Sequence, residues 1–198
     1  MEHIRAFIAI ELNSAIQAAL RQAETPLKNS RVGHMARWVS PTSIHLTLKF
    51  LGNMSVAQVP DIGRALQRTG TAYSPFTIGL SGLGCFPHPR RPRVIWVGLG
   101  GDLEALASLQ ESVDRQLKCL GFKPEKRGFT PHLTLGRIRD RARPGERQAL
   151  VERMSTVRVD TSASMVVREV SLIRSDLRPT GAVYTRLASA PLVKGLRA

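Results

Sequence analysis

Apolar and polar residues alternate over residues 43–51, with Ile44, Leu46, Leu48 and Phe50 on one parity and His45, Thr47 and Lys49 on the other. A period of two belongs to a strand buried on one face, and Gly52-Asn53 ends it. The alternation returns at 132–135, where Leu133 and Leu135 face one way and His132 and Thr134 the other. Shorter apolar runs predict strands at 7–10, 76–83, 94–99, 165–174 and 183–187. Helical spacing follows Ser14, a candidate N-cap, with Ile16, Ala19, Leu20 and Ala23 recurring until Pro26. Ser55 caps a second helix that finishes near Gly70. Asp102 caps a third, whose stripe is Leu103, Leu106, Leu109, Val113, Leu117 and Leu120, stopped by Gly121. A fourth lies near 146–154. Residues 28–37 read as a basic loop, and 87–93 as a stiff one with three prolines and three arginines. Strands and helices mix without strict βαβ alternation, which predicts an α+β fold with antiparallel sheet.

Charge changes this picture more than composition does. A 198-residue chain that is 42% hydrophobic and 22% charged has enough apolar residues for a core, as one domain or as two lobes sharing an interface. Its 29 Lys and Arg against 15 Asp and Glu leave a formal net charge of +14, which favours polyanionic partners, nucleic acid before membrane. Cys85 and Cys119 are isolated and read as reduced thiols. No apolar run reaches the roughly 18 residues of a membrane span, and the N-terminus has no secretory pattern. The expectation is a cytoplasmic protein without membrane contact.

The tetrapeptide His-Leu-Thr-Leu occurs at 45–48 and again at 132–135, its histidines 87 residues apart. Five histidines give ten pairs; at about one-in-fifteen odds per position, chance would yield such a repeat roughly three times in a thousand. A duplicated strand in a two-lobed fold is related by a pseudo-twofold axis, which would set the two His-Thr faces across a cleft. The leucines would anchor the strands. Phosphodiester cleavage needs a base for the nucleophile and an acid for the leaving oxygen, and two imidazoles can divide those tasks near neutral pH. A threonine two residues along a strand shares its histidine's face, so each hydroxyl can donate to a phosphate oxygen. His3, His34 and His88 lie outside the repeat and read as solvated. The basic stretches 90–93 and 137–147 could track an RNA backbone. No P-loop or nucleotide-binding glycine pattern is present, so an ATP-dependent ligase is not expected.

With these motifs the sequence resembles the 2H phosphoesterase family, most closely its bacterial and archaeal RNA 2′,3′-cyclic phosphodiesterases, also called 2′-5′ RNA ligases. The resemblance runs through 5–12, Trp38-Val39, 45–52, 90–98, 129–137 and the tail 172–184, with Ser175, Pro179, Gly181 and Tyr184. It implies one bilobal domain over 1–198, a pseudo-twofold duplication of antiparallel sheets flanked by helices, with the active site between the lobes. His45 and His132 would be catalytic, with His45 as acid beside the 3′ oxygen and His132 as base. Thr47, Thr134 and Arg137 would bind phosphate, and Phe7 and Phe50 are candidate base-stacking surfaces. No cofactor and no metal are implied. The partner would be RNA with a 2′,3′-cyclic phosphate end, tRNA fragments among them, or a cyclic nucleotide, and a monomer would suffice. Arg137 lies five residues from His132, so an ideal strand would turn it to the opposite face; a strand end or a bulge at Gly136 would return it. A non-catalytic RNA-binding module, or a cyclic phosphodiesterase acting on a small nucleotide metabolite, stands as the alternative.

Overall fold

A computed structural model describes residues 2–125, 128–178 and 181–194; Pro179 lies outside them. The order is β1 (His3–Glu11), α1 (Ser14–Lys28), β2 (Ala36–Trp38), β3 (His45–Ser55), α2 (Val59–Gly70), β4 (Phe76–Phe86), β5 (Val94–Gly101), α3 (Leu103–Lys118), β6 (His132–Ile138), α4 (Pro144–Ser155), β7 (Ser164–Val167), β8 (Glu169–Arg178) and β9 (Gly181–Pro191). Two antiparallel sheets result, ordered β3-β1-β8-β9 and β2-β6-β5-β4-β7. This is the mixed α+β architecture expected.

The duplication extends beyond the motifs. On β1, Glu11 pairs with His45 and Ala9 with Thr47; on β5, Gly98 pairs with His132 and Trp96 with Thr134. The 87-residue offset therefore relates both strands of each pair. It also relates one irregularity of each, because the register slips just beyond each threonine, at Leu48 and at Leu135; β1 and β3 slip once more, at Leu51. The helices cross over. α1 follows β1 of the first sheet yet packs against β7 and α4, whereas α3 follows β5 of the second sheet and packs against β3 and α2. One apolar core joins both sheets, with Leu46, Leu48, Leu133 and Leu135 inside it.

Several boundaries differ from the sequence expectation. Asn13, not Ser14, caps α1, its Oδ1 accepting from Ile16 N at 2.9 Å. The helix runs past Pro26 to Lys28, although the missing N–H of Pro26 forfeits the bond a last-turn residue would give to the carbonyl of Gln22. The loop expected at 28–37 ends in the edge strand β2, held by the Trp38 indole donating to Gly33 O at 2.8 Å. Asp102 precedes α3, but its carboxylate accepts from Thr77 N at 2.9 Å and ties the helix to β4 instead of capping it. The run 165–174 breaks at Arg168 into β7 and β8, which join different sheets. Among the described residues no helix is long and apolar enough to cross a membrane.

Candidate active site

His45 and His132 open β3 and β6, and those two strands touch. Each ring is held the same way: Nδ1 lies 3.1 Å from Ser43 O and 2.7 Å from Thr130 O, carbonyls two residues upstream that share the 87-residue offset. A carbonyl only accepts, so Nδ1 carries the hydrogen and Nε2 is left for exchange with a reactant. Thr47 and Thr134 are half-buried, and neither hydroxyl has a hydrogen-bond partner among the described residues. Each strand thus presents an imidazole nitrogen and a hydroxyl from one face, which is equipment for acid–base chemistry on a phosphate.

The bulges set the facing of the residues after each motif. On β3, Leu48 and Lys49 are both buried and Phe50 turns out, 59% exposed. This corrects the simple alternation, which placed Lys49 with His45 and Phe50 with the leucines. A two-for-one bulge shifts parity by one. Lys49 is instead 2% exposed, ion-paired with Asp114 and donating to Lys123 O at 2.8 Å. On β6 the same slip buries Leu135 and Gly136 and turns Arg137 outward. Arg137 therefore shares the face of His132 and Thr134, through a bulge that lies at Leu135, one residue before the Gly136 expected.

The surroundings of the two histidines differ. His45 stacks on Phe7, centroids 4.3 Å apart at 23°, and meets the edge of Tyr184 at 5.0 Å. Burial holds its pKa down at about 4, against the opposing pull of the Ser43 carbonyl and the Glu11 carboxylate. His45 is thus neutral at pH 7. Phe7 is a buried ring occupied by His45, and Phe50, 6.2 Å from it, is the exposed one of the pair. Glu11 is itself anchored, accepting from Arg186 at 2.6 Å and from the Ser171 hydroxyl at 2.9 Å. His132 sits edge-on to Phe86 at 4.9 Å, with Trp96 6.4 Å away. The indole lies over Gly84, where a Cβ would come within 2.2 Å of it.

Tyr184 bridges the halves. Its pKa is raised by burial, with Arg137 of the second sheet and Arg5 of the first opposing. Tyr184 appeared in the sequence only within the family-like tail, and Glu11 and Trp96 only within family-like strands; no periodicity marks them for a site. Some arginines of 137–147 are committed to the protein's own carbonyls. Arg147 spends its guanidinium on the carbonyls of Ala142, Pro92, Arg139 and Asp140, and Arg139 donates to His34 O. Cys85 and Cys119 are free thiols. Among the described residues no three His, Cys, Asp or Glu side chains group where they could hold a metal.

The chain is similar to known proteins along most of its length. The family model for the 2′-5′ RNA ligase superfamily matches residues 14–179. A protein of Methanothermobacter thermautotrophicus named RNA 2′,3′-cyclic phosphodiesterase is 36% identical over 182 residues, covering 92% of this chain and 95% of that protein. One of the same name from Aquifex aeolicus is 32% identical, covering 93% and 95%. Among solved structures, a Thermus thermophilus protein superposes with a TM-score of 0.79 at 28% identity, over 97% of this chain and all of that one. E. coli LigT complexed with 3′-AMP gives 0.76 at 25% identity, over 98% and 100%. By its motifs, its fold and these relatives, the chain belongs to the 2′-5′ RNA ligase superfamily of 2H phosphoesterases.

Proposed function

We propose that this protein is an RNA 2′,3′-cyclic phosphodiesterase that opens cyclic phosphate ends to 2′-phosphates, using two histidines and no metal. The observation that carries the reading is the equivalence of the two clamps. The same offset relates both histidines, both threonines, both Nδ1 acceptors and both bulges, and it leaves two Nε2 atoms for one phosphate. The relatives' names point to the same chemistry.

In an in-line displacement the attacking and leaving oxygens lie on opposite sides of phosphorus, so two acid–base groups flank it. His132 takes a proton from water as the water oxygen bonds to phosphorus. The bond from phosphorus to the 3′ oxygen breaks, and His45 gives that oxygen its proton. Thr47, Thr134 and Arg137 hold the non-bridging oxygens, and the exposed ring of Phe50 offers a face to a base. His45 is neutral in the unliganded protein, but a phosphate anion set against it favours the charged form, so its proton arrives with the substrate. If the 5′-hydroxyl of a second RNA end replaces water, the same transfers form a 2′-5′ linkage, driven by the strain of the cyclic ester and needing no ATP. Water's abundance makes hydrolysis the main outcome. Both clamps come from one chain, so the bilobal unit is one functional domain and a monomer suffices. Two free thiols and an RNA substrate suit the cytoplasm, and tRNA fragments with cyclic ends are suitable substrates.

The test is incubation with an RNA ending in 2′,3′-cyclic phosphate, without ATP and with EDTA, followed by chromatographic separation of the 2′- and 3′-phosphate products. A 2′-phosphate is expected. A 3′-phosphate would invert the assigned geometry, and binding without turnover would leave a non-catalytic RNA-binding module.

A further inference from the structure

This inference rests on the RNA reading above and concerns the strip of sheet beyond the second motif. Arg37 on β2 stands directly opposite Arg137 on β6. Residues paired across an antiparallel ladder project to the same face. The neighbouring pair fixes which face: Ala36 and Ile138 are both buried in the core. The two arginines therefore project to the other side, that of His132 and Thr134. The edge strand is set firmly in place. Trp38 is anchored to Gly33 O, and a Cβ on Gly136 would lie 3.1 Å from the Trp38 ring and 3.2 Å from Arg37 O, so the glycine allows this close approach.

Like charges placed directly opposite one another oppose folding. Three arginines are offset by carboxylates among the described residues, Arg64 by Asp61, Arg174 by Asp176, and Arg186 by Glu11 and Glu169, but none of these stands opposite another arginine on a ladder. Neither Arg37 nor Arg137 has a carboxylate partner among the described residues. One phosphate at Arg137 accounts for one of the two guanidiniums. We propose that Arg37 holds a second phosphate, the internucleotide phosphate on the 5′ side of the cyclic end. The substrate class is then an oligonucleotide of at least two residues, in preference to a cyclic mononucleotide. Opposed Cβ atoms are about 5 Å apart, and long side chains splaying from there suit successive phosphates of one strand.

The experiment compares kcat/KM for a dinucleotide ending in 2′,3′-cyclic phosphate with that for the cyclic mononucleotide of the same base, in the wild type and in Arg37→Gln. The wild type should prefer the dinucleotide by about tenfold, the scale of one charge-assisted contact. Arg37→Gln should abolish the preference, leave the mononucleotide within about twofold, and lower the salt slope for the dinucleotide by roughly 0.7. An unchanged preference, or equal loss on both substrates, overturns the assignment of Arg37 while the hydrolase reading stands. No turnover of either substrate by the wild type would instead overturn the hydrolase reading.

Discussion

Acidification offers a direct test of the His45 environment. The mechanism needs one histidine neutral and one charged, so activity is lost on the acid side when both are protonated, and the lower of the two pKa values sets that limb. An ordinary histidine titrates at 6.5 and would leave about 3% of the activity at pH 5. Burial beside Phe7 and Tyr184 holds His45 at about 4, which leaves about 90% at pH 5. The two cases differ by about thirtyfold at a pH where many domains remain folded. The assay is kcat/KM against pH from 3.5 to 8 at constant ionic strength, on the cyclic-ended dinucleotide, with circular dichroism at each pH. Half-maximal activity near pH 4 is expected. In kcat the limb should lie higher, because the bound phosphate raises the pKa of His45. A kcat/KM limb centred near 6.5, with the fold intact, would refute the reasoning.

Four other outcomes are expected from the same geometry. His45→Ala and His132→Ala should each lower turnover by at least about a hundredfold, the scale of a lost general acid or base, with Thr47→Ala and Thr134→Ala milder; steady-state kinetics checks both. Dialysis against EDTA should leave the rate unchanged, and a loss restored by a divalent ion would replace this mechanism with a metal-assisted one. Asp114→Ala strands the buried Lys49 charge and should cost about 3 kcal/mol in urea unfolding, whereas Lys49→Met with Asp114→Leu should recover most of it. His45 has a lower pKa folded than unfolded, so stability is full above 6.5 and falls as the pH drops from 6.5 to 4. His45→Gln should flatten that part of a Tm-against-pH plot.

Legibility in the sequence followed periodicity. The motif strands, their leucine anchors and the stripe of α3 from Leu106 to Leu117 were readable because each repeats at the period of its element, whereas Leu103 at the helix start is exposed. β2 was not, since three residues next to a tryptophan carry no period, and its place depends on an indole reaching Gly33. The faces of Lys49, Phe50 and Arg137 needed the bulges, and a bulge is a register difference between strands that a single strand's pattern does not record. The duplication still left a trace. The residues after the two motifs, Lys49-Phe50 and Gly136-Arg137, occupy equivalent positions, and one bulge rule turns both Phe50 and Arg137 toward the site. The charge excess pointed to a polyanion but could not separate Arg137, facing the site, from Arg147, committed to four backbone carbonyls.

Duplication produces two like clamps, and acid–base catalysis requires them to differ. Here the divergence makes His45, the proposed acid, hard to charge in the unliganded protein, so its proton has to come with the substrate. The offset shows where the halves have diverged: Glu11 stands where Gly98 is, Ala9 where Trp96 is, and Phe50 where Arg137 is. Ala9 is small, and that side instead packs Phe7, Ile173 and Tyr184 into a second apolar cluster at His45, which desolvates the ring. Glu11 lies at its edge and moderates the loss of charge. On the other side Trp96 fills the space over Gly84, and the His132 ring keeps its contact with Thr130 at the exposed surface. The cation that could stabilise a phosphate, Arg137, comes from the half opposite the buried histidine, next to Tyr184. On the proposed mechanism a phosphate bridging both halves would bring His45 its proton, which would couple the acid to the presence of substrate. Removing Arg137 should on this argument weaken binding and, because the bound phosphate then faces His45 with its charge less offset, raise the pH of the kcat limb.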